Sequence, residues 1–139
     1  MKVLLVNGSS RKNGCTNTAL REVERALNEE GVETEVFFIG NEPLPDCIAC
    51  RKCREIGRCI FDDIVNEFVE KAKSADGFIF GSPVYYAHPS GRLLTFMDRA
   101  FYSGCAAFQF KPAAAVLSAR RAGTTASMDV INKYFTISS

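Results

Sequence analysis

The sequence predicts an α/β domain built on a doubly wound parallel sheet. Two features lead there. Short apolar runs alternate along the chain with amphipathic stretches, and each apolar run is continuous rather than interleaved with polar residues. Strands of that kind are buried on both faces, so helices must cover both sides of the sheet through right-handed crossovers. The 139 residues suffice for one core, and no repeat or linker divides them, so 1–139 is expected to be a single domain. A hydrophobic fraction of 47% with 24% charged residues excludes disorder and low-complexity sequence. A net charge of +1 leaves no basic excess for nucleic acid and no acidic tail.

The elements follow in order. Val3 to Val6 is the first strand. Thr18 to Glu30 reads as a helix, with Leu20, Val23 and Leu27 on one face, Thr16 or Asn17 as N-cap and Gly31 as its stop. Glu33 to Ile39 is a second strand. Residues 40–61 have no period, carry Pro43 and Pro45, and hold four of the six cysteines. A structureless stretch of that length is usually functional. Asp62-Asp63 caps a helix whose apolar face is Ile64, Val65, Phe68, Val69 and Ala72. Gly77 to Phe80 is the third strand. A helix follows Pro89-Ser90, with Leu93, Leu94, Phe96 and Met97 turned inward. Pro112 opens a fourth strand, Ala113 to Ser118, and Gly123-Thr124 leads into a last helix containing Met128 and Ile131. Tyr134 to Ile137 carries no closing helix pattern. Met1-Lys2 runs straight into a strand, and no apolar run approaches the ~20 residues that span a bilayer. The expected location is cytoplasmic, with no membrane partner.

In doubly wound sheets, ligands sit outside the carboxyl ends of the strands. The loop after strand one, Gly8 to Thr18, offers glycines, hydroxyls, Arg11 and a helix N-terminus, a set suited to a phosphate. It lacks the Gly-Lys-Ser/Thr triplet of a P-loop and the G-x-G-x-x-G dinucleotide fingerprint. Cys15 and Arg21 have the C-x5-R spacing of a tyrosine-phosphatase loop. However, the cysteine follows a long Gly-Ser insertion, and no Asp-Pro supplies the general acid. Gly81 to Gly91 places Pro83, Tyr85 and Tyr86 at the sheet edge, where a flat ring could stack; covering a helix end is the alternative role. His88 is the only histidine. Ser118 to Thr124 adds Arg120 and Arg121, able to bind anions or simply to solvate a turn.

Three motifs together resemble flavodoxin-like NADPH-dependent FMN reductases: Gly8-Ser9-Ser10-Arg11…Gly14…Thr16, Gly81-Ser82-Pro83-Val84-Tyr85-Tyr86 and Ser118-Ala119-Arg120-Arg121-Ala122-Gly123. The resemblance implies a flavodoxin-like fold with strand order 2-1-3-4, and bound FMN. Its phosphate would lie on Ser9, Arg11, Gly14, Thr16, Asn17 and Thr18. Its ring would lie against Ser82, Pro83, Val84, Tyr85 and Tyr86 and against Ser118, Arg120, Arg121 and Gly123. It also implies NAD(P)H as electron donor, a small-molecule acceptor, and a homodimer or homotetramer. Relatives often carry Asn where this chain has Cys15, with Asn17 as the nearest substitute. The flavodoxin pattern has a fifth parallel strand and a final helix. Four strands are assigned here, so the chain is expected to be a C-terminally shortened version.

Cys47, Cys50, Cys53 and Cys59 give C-x2-C-x2-C-x5-C. Four thiolates this close can hold a [4Fe-4S] cluster or a zinc ion, and Arg51, Lys52, Arg54 and Arg58 add positive charge that favours thiolates. Free or oxidisable thiols are the alternative. The motif resembles that of iron–sulfur flavoproteins, which implies electron exchange between cluster and FMN and a ferredoxin-type donor. The expected function is a flavin-dependent oxidoreductase, with an iron–sulfur electron carrier as the second class and a zinc interaction module as the third. The flavin performs the chemistry, so no catalytic side chain is assigned.

Overall fold

The structure, a computed structural model, describes residues 1–138. Four parallel strands form the sheet: β1 (Lys2–Asn7), β2 (Glu33–Phe38), β3 (Gly77–Tyr85) and β5 (Ala113–Ser118), in the order β2-β1-β3-β5. This is the 2-1-3-4 order expected from the sequence. The sheet also has a fifth strand that the sequence reading did not assign, short and antiparallel, and so distinct from the fifth parallel strand of the flavodoxin pattern. β4 (His88–Pro89) folds back antiparallel on β3, pairing Tyr85 with His88. The helices are α1 (Cys15–Glu29), α2 (Cys53–Ile56), α3 (Ile64–Lys73), α4 (Gly91–Gly104) and α5 (Thr124–Ile137).

Continuous apolar strands bury both faces. Leu4, Val6, Phe78 and Phe80 face a layer built from α3, α4 and Ile131 of α5, while Val3 and Leu5 pack under Leu20 of α1. Phe68 anchors the larger layer, with its ring centroid 5.0–6.4 Å from those of Phe37, Phe78, Phe80, Phe96 and Phe108. Among the described residues, no helix is long and apolar enough to cross a membrane.

Three boundaries differ from the sequence reading. α1 begins at Cys15 on Gly14, and no side chain caps it. Thr16 and Asn17 lie inside the helix because the loop turns tightly before it, with Gly14 N–H donating to Arg11 O at 3.1 Å. β3 continues past Phe80 through Tyr85, because β5 pairs it as far as Pro83 and β4 pairs the rest. Ser82 to Tyr85 are therefore strand residues rather than loop. Tyr134 to Ile137 are helical, since Tyr134 and Phe135 pack on the core and the Tyr134 hydroxyl donates to Asp98 at 2.5 Å.

Candidate functional site

The carboxyl ends of β1, β3 and β5 meet at one edge, and specific contacts bring their loops together. Gly8 N–H donates to Gly81 O at 2.8 Å, and Ser90 Oγ donates to Gly8 O at 2.9 Å. The hydroxyls of Thr16 and Ser118 lie 3.0 Å apart, joining the start of α1 to the end of β5. Gly123 closes the third side. It has φ +93°, and a Cβ there would lie 2.4 Å from Ala87 Cα. Only glycine allows both this left-handed turn and this approach.

The first loop is braced from beneath by Asn7, which is buried. Its Oδ1 accepts from Ser9 N–H at 3.1 Å, and its Nδ2 donates to Lys12 O at 3.2 Å. Ser9 Oγ in turn accepts from Arg11 N–H at 3.1 Å. Thr18 Oγ1 donates to Gly14 O. The first turn of α1 thus lacks a side-chain cap while hydroxyls crowd around it. Unsatisfied N–H groups and the helix dipole at such a terminus attract an anion. Arg11, Arg120 and Arg121 are exposed, and none pairs with a carboxylate among the described residues. Ser127, one turn into α5, has a buried hydroxyl with no hydrogen-bond partner among the described residues.

Tyr86 and Ala87 form the two-residue turn between β3 and β4, with φ of +51° and +59°. Two successive left-handed non-glycine residues are costly, and such strain gathers at ligand sites. Tyr86 is wholly exposed at the tip. Ser82 is different: its Oγ donates to Pro83 O at 2.8 Å and accepts from Ser90 N–H at 2.9 Å. That hydroxyl shapes the hairpin and is already committed. Cys15 and Arg21 do not form an anion cradle. Both lie on α1, and Arg21 pairs with Glu24.

A second feature lies along α4. Cys47, Cys50, Cys53, Cys59 and Arg99 line one cavity of about 180 Å³. All six cysteines are free thiols. The four sulfurs share this cavity without converging on one point: among the described residues, no three Cys, His, Asp or Glu side chains are grouped to hold one metal ion. The donor chemistry fits a thiolate-bound centre, and the loop turns left-handed at Ala49 and Arg51, on either side of Cys50. Arg99 is buried with its guanidinium bonded to both Asp63 oxygens, at 2.7 and 2.9 Å. Burial alone would lower its pKa, but the Asp63 carboxylate and then Cys59 outweigh this and hold it above the ordinary value.

The profile of the family described as NADPH-dependent FMN reductase matches residues 1–138. The chain belongs to that family. An iron–sulfur flavoprotein of Methanocaldococcus jannaschii is 38% identical over 143 residues, covering all of this chain and 74% of that protein. An iron–sulfur flavoprotein of Methanosarcina thermophila is 35% identical over 99 residues, covering 71% of this chain and 52% of its own length. The chain thus spans about three quarters of one curated relative and about half of the other. The fold is shared with FerB of Paracoccus denitrificans, a flavoenzyme NAD(P)H:acceptor oxidoreductase (TM-score 0.75, 17% identity, 99% of this chain and 72% of that one). It is shared also with an archaeal flavodoxin (TM-score 0.68, 18% identity, 100% and 76%).

The structure brings the three loops of the sequence reading together at this one edge. Sequence reasoning did not single out Asn7, Ser90 or Arg99 as supporting residues. Arg99 had a visible signal, a lone cation in the apolar stripe of Phe96, Met97 and Ala100.

Proposed function

We propose that this chain binds FMN across the three loops and serves as an NAD(P)H-dependent flavin oxidoreductase. One observation carries it: an uncapped helix start, clustered hydroxyls and unpaired arginines meet a strained hairpin at a single sheet edge. FMN, when bound, supplies hydride and one-electron chemistry. The side chains bind and orient it. Ser9, Arg11, Gly14, Thr16, Asn17 and Thr18 hold the phosphate through backbone N–H groups, hydroxyls and one charge. Pro83, Val84, Tyr85 and Tyr86 wall one side of the ring, with Ser82 setting the hairpin's shape. Ser118, Arg120, Arg121 and Gly123 approach from the other side, where the arginines suit an anionic nucleotide donor. Tyr86 and His88 are exposed at the hairpin and stand nearest to an incoming donor or acceptor. The test is NADPH oxidation by the flavin-loaded protein with a quinone or free flavin as acceptor. Steady turnover supports the enzyme, and a loaded protein that NADPH does not reduce contradicts it.

A second reading is favoured by the four cysteines around one cavity and by the names of the relatives. Cys47, Cys50, Cys53 and Cys59 would hold a [4Fe-4S] cluster that passes electrons between a ferredoxin-type donor and the flavin. Anaerobic reconstitution followed by iron and sulfide analysis decides it. Four irons per chain support the carrier, a zinc-loaded loop favours the interaction module, and neither metal leaves oxidisable thiols. Exposed Tyr102, Phe110 and Ile137 offer apolar surface for the proposed dimer or tetramer.

A further inference from the structure

Arg99 does more than balance Asp63. A guanidinium has five N–H donors in a planar fork. Here Nε donates to Cys59 Sγ at 3.3 Å and Nη1 to Pro45 O at 3.2 Å, while the two N–H groups of Nη2 are shared among Asp63, Cys59 Sγ at 3.3 Å and Phe61 O at 3.2 Å, besides the Nη1 bond to Asp63. The fork also lies 5.1 Å from the Phe61 ring centroid. An ion pair would need only the carboxylate. The remaining donors reach both ends of the cysteine loop, Pro45 on one side and Cys59 and Phe61 on the other.

Cys59 is held more completely than the other three. Its backbone N–H donates to Asn66 Oδ1 at 3.0 Å, and its carbonyl accepts from Asn66 Nδ2 at 3.0 Å. With the two bonds from Arg99, all its polar atoms are placed. Cys53 Sγ has one long contact, 3.7 Å to Tyr102 O, and Cys50 lies exposed. One cysteine is therefore fixed by its neighbours, while Cys53 and Cys50 are held far less.

We infer that Arg99 is the positioning residue of the cysteine centre: it presents Cys59 as the preset ligand and raises the reduction potential of a cluster bound there. This rests on the cluster reading above. N–H donors directed at a ligating sulfur stabilise the extra negative charge of the reduced centre, and neighbours that orient ligands also slow metal loss.

The experiment compares reconstituted wild type with R99K, R99Q and R92K. Arg92 donates to the Ile39 and Glu42 carbonyls and anchors the same loop without touching a cysteine. Iron content, iron release to a chelator and midpoint potential are measured, with melting temperature and flavin absorbance as folding checks. R99K keeps a cation beside Asp63 but cannot span the fork, so it serves if R99Q does not fold. R99K and R99Q should release iron at least ten-fold faster and titrate at a more negative potential, while R92K keeps the wild-type potential. Wild-type release and potential in folded R99K overturn the proposal. A wild type that takes up no iron overturns the cluster reading beneath it. Pulsed alkylation of unloaded wild type gives a check free of variants. Cys59 should react at least ten-fold more slowly than Cys50, and equal rates count against a preset ligand.

Discussion

Replacing Gly123 with alanine should damage the fold and the proposed flavin site together. Gly123 is the left-handed residue that ends the β5 loop and starts α5. An added methyl would sit 2.4 Å from Ala87 Cα and 2.8 Å from Ala87 Cβ. Ordinary carbon contacts lie near 3.5–4.0 Å, so the hairpin tip or the helix start must retreat by roughly 1 Å. Holding an L-residue in the left-handed region costs about 1–2 kcal/mol. Forcing the packed backbone apart adds about 1–3 kcal/mol. The sum, about 2–5 kcal/mol, corresponds to a melting temperature lower by roughly 6–20 °C for a chain of this size. Because Ala87 adjoins Tyr86, FMN affinity should fall at least ten-fold as well. Gly91 is the control. Nothing lies within 4 Å of a Cβ placed there, and its φ is not positive. G91A, at the start of α4, should be neutral or stabilising by up to about 1 kcal/mol. Thermal melts of the apo proteins and FMN titration by fluorescence quenching measure both effects. A G123A protein melting within about 1 °C of wild type, with unchanged FMN affinity, would refute the packing of the hairpin on Gly123.

Other expectations are more local. T16V removes a hydroxyl at the start of α1, and FMN affinity should fall about ten-fold, the effect of one hydrogen bond to a charged group, with riboflavin affinity unchanged. F68A takes the central ring out of the aromatic core and should cost about 3–5 kcal/mol in denaturant unfolding. Tyr134, half-buried and bonded to the Asp98 carboxylate, has its pKa raised by burial first and by Asp98 second. Its contribution to stability is complete below the ordinary tyrosine pKa near 10 and is lost as pH rises above it, because only the unfolded chain then ionises there. Wild type should therefore lose stability above that pH more steeply than Y134F. An ultraviolet titration should show Tyr134 resisting ionisation until the fold is lost.

Much of the fold is legible in periodicity. The strands announce themselves as continuous apolar runs, and Asp63 and Ser90 cap their helices as their side chains suggest, accepting from Val65 and Leu93 N–H. The hairpin is not legible, because its turn is Tyr86-Ala87 rather than the Asn-Gly or Asp-Gly pair that signals two left-handed residues. The helical end of α5 is hidden for a related reason. Tyr134, Phe135, Thr136 and Ile137 are weak helix formers, and tertiary packing decides their state. The three loops are readable as a site because a parallel sheet delivers them to one edge. Their bracing by Asn7 and Ser90 is not, since a polar residue ending a strand carries no sign of what it will meet. The cysteine window is obvious as a pattern. Its anchoring on Arg99, 40 residues from Cys59, depends on tertiary contacts alone.

If the edge built by Gly8–Thr18, Ser82–Tyr86 and Ser118–Gly123 is an FMN site with the phosphate at the start of α1, the phosphate must strengthen binding. Equilibrium titration of the folded apo protein with FMN and with riboflavin tests it most directly, since the two differ only in that phosphate. One FMN should bind per chain, at least ten-fold more tightly than riboflavin. Equal affinities, or a folded protein that binds neither, would contradict it.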